Sequence, residues 1–94
     1  MPLALEISPE TERRTEVEEI LEISDRYRAR GHKLLEKGRN HRARKQFRFA
    51  QDGYALAESI SHKYSLKDLE RYASQEQESI RQTANEHQLH LKLF

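Results

Sequence analysis

The chain has 94 residues, 35 % of them apolar and 35 % charged, with 17 Lys+Arg against 16 Asp+Glu and no cysteine. That length allows one domain, and so few apolar residues must be gathered into narrow stripes on amphipathic elements. A disulfide framework, a thiol nucleophile and a cysteine-based metal site are excluded, and a deep catalytic pocket is hard to build.

No apolar run reaches the roughly 18–20 residues of a membrane span. The stretch Met1-Pro2-Leu3-Ala4-Leu5-Glu6-Ile7 has neither a basic start nor a signal-peptide apolar region, so a cytoplasmic location and no membrane partner are expected. The near-neutral total hides a segregation. Residues 1–25 hold eight acids and two bases, residues 26–49 one acid and ten bases, and residues 50–94 seven acids and five bases. Either the acidic arm lies along the basic stretch and neutralises it, or the basic stretch is a docking surface for something anionic.

In chain order, residues 1–8 read as a flexible segment, and one three-helix domain is expected over 9–94, with helices near 9–37, 40–61 and 66–88. Ser8-Pro9-Glu10 starts the first helix: a serine cap, a proline that loses no donor, and acids at the positive end of the dipole. Val17, Ile20, Leu21, Ser24, Tyr27, Gly31, Leu34 and Leu35 form its inward stripe, and Gly38 supplies the left-handed residue that ends it. Asn40 reads as the cap of the second helix, whose Ala43, Phe47, Ala50, Tyr54, Ala57 and Ile60 or Ser61 recur at steps of four and three. Gly53 interrupts that helix and calls for a packing reason such as the close approach of a neighbour.

Ser65-Leu66-Lys67-Asp68 matches a capping box and places the third helix start at Leu66. Its stripe of Leu69, Ala73, Ile80 and Thr83 or Ala84 is diluted by Glu76 and His87, making it the marginal element. Leu89, Leu91, Leu93 and Phe94 alternate with His90 and Lys92, as a frayed helix end or a short extended tail.

Between Tyr27 and Ala50 the order is aromatic, small, large apolar, turn glycine, small, aromatic, small: Tyr27, Gly31, Leu34, Gly38, Ala43, Phe47, Ala50. This resembles a single tetratricopeptide repeat, without its closing proline and without a second copy 34 residues on. With a longer second helix and one more helix behind it, the pattern is also similar to the microtubule-interacting-and-transport type of three-helix domain. The resemblance implies an all-α antiparallel helical hairpin plus a third helix, with an inter-helical groove that accepts a short helical peptide. Tyr27, Gly31, Leu34, Ala43, Phe47, Ala50, Tyr54 and Ile80 are the expected structural core.

Arg28, Arg39, Arg42 and Lys45 are the expected partner-binding surface, drawn from a basic rim around Gly38. The expected function is a small non-catalytic adaptor or regulatory module docking a short helical or acidic protein segment, with apolar anchors for affinity and the rim for orientation. The alternative is a nucleic-acid-binding regulator that uses the Arg/Lys-rich hairpin over residues 26–48. A thin core also favours a homodimer. No catalytic residue, metal site or cofactor is expected: the acids at 16–22 have no pocket, His87 and His90 with Glu86 lack further ligands, and no Gly-rich loop could hold a nucleotide.

Overall fold

The computed structural model describes residues 9–89, which form three helices: α1 (Pro9–Glu36), α2 (Asn40–Lys63) and α3 (Lys67–Glu86). They make a small all-α bundle in which α1 and α2 form a long antiparallel hairpin and α3 packs back along α2. None of these helices is long and apolar enough to cross a membrane. The N-terminal segment and the tail from His90 onward lie outside the described residues.

The middle helix organises the rest. Ala43, Ala50 and Ala57 alternate with Phe47, Tyr54 and Ser61 along one heptad stripe, and all six are buried. The stripe takes Ser61 at its last step, and Ile60 is half-buried at its edge. The alanines let backbones approach, and the aromatic rings fill the space left between them. Against this stripe α1 presents Val17, Leu21, Ser24 and Gly31, and α3 presents Ala73, Gln77, Ile80 and Ala84. A Cβ on Gly31 would stand 2.8 Å from the Phe47 ring, and one on Gly53 would fall 2.0 Å from Ser24 Oγ and 3.2 Å from Ser24 Cβ. Gly53 therefore has the packing reason its position called for.

All three helices end the same way. Lys37, Tyr64 and His87 close each helix and are followed by a left-handed residue, Gly38 (φ 72°), Ser65 (φ 58°) or Gln88 (φ 55°). The next backbone N–H returns to a carbonyl of the last turn: Arg39 to Leu34 at 2.8 Å, Leu66 to Ser61 at 2.8 Å, Leu89 to Ala84 at 2.7 Å. Each is the six-to-one bond of a Schellman motif, and Leu66 and Leu89 bury their side chains as they make it.

This device corrects two sequence expectations. Asn40 is the first residue of α2, not its cap; Arg39 occupies the cap position, and its side chain makes no capping bond. Ser65 likewise caps nothing. Its backbone is spent on ending α2, so Leu66 precedes α3, which begins at Lys67 without a side-chain cap.

Candidate functional site

The hairpin of α1 and α2 has two broad faces. The inner one is covered by α3. Tyr54 and Tyr72 meet there edge-on with ring centroids 6.4 Å apart, and both hydroxyls donate to Asp25 Oδ1, that of Tyr72 at 2.8 Å. Burial and the bond to Asp25 raise the Tyr54 phenol pKa far above its ordinary value, and the same two causes raise that of Tyr72. Arg28 completes the cluster through ion pairs with Glu76 and Asp25, its guanidinium 6.0 Å from the Tyr54 ring. At the far end Arg14 pairs with Asp68 and holds that carboxyl below the usual carboxylate range.

Arg28 is thus corrected as a rim residue. Its side chain is only 27 % exposed, because position 28 continues the inner stripe of Val17, Leu21 and Ser24 and turns the group toward α3.

None of the described helices covers the outer face. The exposed large apolar side chains are Ile23 (51 %), Phe49 (52 %) and Leu56 (52 %), and all three lie on this side. On α1 the stripe Glu16, Ile20, Ile23, Tyr27, Arg30 runs one residue ahead of the inner stripe; on α2 the neighbouring stripe is Lys45, Phe49, Asp52, Leu56. The two are joined by Tyr27 and Phe49, whose ring centroids are 5.3 Å apart, while the Arg30 guanidinium lies 5.7 Å from the Tyr27 centroid. Tyr27, expected in the core, is half-buried and forms the floor of this shelf; Leu34 is half-buried further along.

Away from the tip the cations divide: Lys63, Lys67 and Arg71 make no ion pair among the described residues, and five others do. Arg13, Arg14, Arg26, Arg28 and Arg81 all reach a carboxylate. From Arg30 through Lys33, Lys37, Arg39, Arg42, Arg44 and Lys45 to Arg48, no cation makes an ion pair among the described residues. The antiparallel hairpin explains why. Glu19 and Arg39 stand roughly 30 Å apart along α1 at about 1.5 Å per residue, so the acidic arm runs beside the C-terminal half of α2 and never reaches the basic tip. Arg39 and Arg42 flank the start of α2, where no acid occupies the first turn and the helix dipole adds to the positive potential.

The groove between α2 and α3 is different in kind. It is an open cleft of about 530 Å³ lined by polar side chains such as Glu58, His62, Lys67, Glu70 and Arg71, and it lies at the opposite end from the tip. His62 Nδ1 lies 2.9 Å from Glu70 Oε2, and no group of three potential metal ligands occurs among the described residues.

Ile23 and Leu56 were missed in the sequence reading, although a second heptad register beside the first marked them. Arg39, Arg42 and Lys45 are exposed at the tip, while Gly31, Ala43, Phe47, Ala50, Tyr54 and Ile80 are buried together. No family model, curated protein or solved structure matches the chain.

Proposed function

We propose that the protein is a non-catalytic interaction module that docks an acidic amphipathic helix of a partner protein across the outer face of the α1–α2 hairpin. The observation that carries this reading is the continuity of an exposed apolar shelf, Ile23, Tyr27, Phe49 and Leu56, with a group of cations that make no ion pair among the described residues. Half-exposed side chains of this size gain on the order of 1 kcal/mol each when a partner covers them, and unpaired arginines steer and orient an anionic helix without first breaking an internal ion pair. The tetratricopeptide-like and microtubule-interacting-and-transport-like spacing of the hairpin supports a peptide-docking role. The docking face differs from the inter-helical groove that the resemblance implies, because the α2–α3 cleft is lined by polar side chains of both charges and lies at the opposite end from the basic tip.

A labelled, designed acidic amphipathic peptide of about four turns tests the reading by fluorescence anisotropy. Binding is expected, with loss on Phe49→Asp and on reversing the peptide charges. No binding at any peptide concentration overturns it.

The unpaired tip also favours a second reading, a nucleic-acid contact through phosphates. That reading predicts an affinity for duplex DNA or RNA that falls steeply and linearly with log salt and is indifferent to Phe49→Asp.

A further inference from the structure

The outer face carries on one surface both halves of the contact proposed above. The N-terminal half of α1 is itself an acidic amphipathic helix, with Glu12, Glu16 and Glu19 around Ile20 and Ile23. The other end of the same stripe is basic at Arg30, with Lys45 and Arg48 beside it on α2. We infer that the occupant of this face is a second copy of the chain, packed hairpin on hairpin with α1 antiparallel to α1. The inference rests on the docking reading of this face and names its partner.

Charge selects the arrangement. Two identical faces can meet about a two-fold axis lying in the interface in two ways. An axis along the helices stacks tip on tip and brings unpaired arginines against unpaired arginines. An axis across the helices reverses one copy end for end, so that the acidic arm of each lies over the basic tip of the other.

The apolar residues fix where that crossing axis passes. It runs between Ile23 and Tyr27 on α1 and between Phe49 and Leu56 on α2, positions that lie opposite each other because Ser24 faces Gly53. Ile23 then meets Tyr27 of the second copy, and Phe49 meets Leu56 of the second copy. Glu19, which has no ion pair among the described residues, comes opposite Arg30 of the second copy, and symmetry makes this contact twice. Asp52 sits beside the axis and faces its own counterpart. That is a repulsive approach at the centre.

Sedimentation equilibrium on the full chain tests this. The expected result is a concentration-dependent rise toward twice the 11.2 kDa chain mass, abolished by Ile23→Asp with helicity unchanged. Glu19→Lys and Arg30→Glu alone should each weaken the dimer at least about tenfold, the two together should restore it, and Asp52→Asn should tighten it. A monomer mass at every concentration, a dimer indifferent to Ile23→Asp, or a double reversal that restores nothing overturns the inference. If the wild type stays monomeric while the designed acidic peptide still binds, the second-copy assignment fails and the docking reading stands; if neither associates, both fail.

Discussion

Phe47 and Phe49 are two residues apart on α2 and live in different worlds. Phe47 is fully buried, wedged against Gly31 with its ring edge-on to His32 at 5.1 Å, whereas Phe49 is half in solvent beside Tyr27. The inner side of the hairpin is closed by α3 through small residues, two tyrosines and an aspartate; the outer side repeats the heptad spacing and no described residue is laid on it. The difference teaches that this short chain builds its stability on one side of α2 and leaves Phe49 and Leu56, on the other side, half in solvent.

The sharpest way to break that contrast is to truncate the two rings separately. Phe47→Ala should cost about 3–5 kcal/mol of folding stability, while Phe49→Ala should cost under about 1 kcal/mol and still eliminate peptide docking. Urea titrations of both variants check this, and equal losses would erase the distinction between the faces. Next in size is Gly53→Ala. The added methyl meets Ser24 Oγ and Cβ, so a loss of about 1–3 kcal/mol is expected in thermal melts in place of the usual gain from replacing a helical glycine.

Tyr54→Phe keeps the ring and removes one of the two donors to Asp25, with an expected loss of about 1 kcal/mol. The same cluster sets an alkaline limit. Because Tyr54 and Tyr72 have raised folded pKa values, their contribution is intact below about pH 10, the unfolded tyrosine value, and is lost as pH rises from there through the folded values. Tyr54→Phe should therefore flatten the fall in stability above that pH. The smallest expected effect is a gain. Ser65→Gly places glycine in a left-handed position that serine now occupies, and melting should show stabilisation of roughly 0.5–1 kcal/mol.

Much of the fold was legible because heptad spacing constrains it. Ala43 to Ser61 announced both the middle helix and its buried side, and Gly38 announced the first turn. The start of α3 was misread because Ser65 and Asp68 satisfy a capping pattern, while in the fold the six-to-one bond from Leu66 to Ser61 claims the same residues for the end of α2. Arg28 was misplaced for a related reason. Composition marks it as one of ten bases in a row of surface charge, and only the packing of α3 shows that it lies on the inner register, opposite Glu76. The outer shelf escaped notice because on α1 its register differs from the core register by a single residue, so Ile20 and Tyr27 merge with Val17, Leu21 and Ser24 into one apparent stripe that leaves Ile23 out, until the third helix shows which of them it covers.

The most direct measurement is a two-dimensional amide NMR titration of the full chain with the designed acidic amphipathic peptide. Shifts concentrated at Ile23, Tyr27, Arg30, Phe49 and Leu56 are the predicted result. Shifts confined to the Glu58–Gln75 cleft, or none at saturating peptide, would contradict the account.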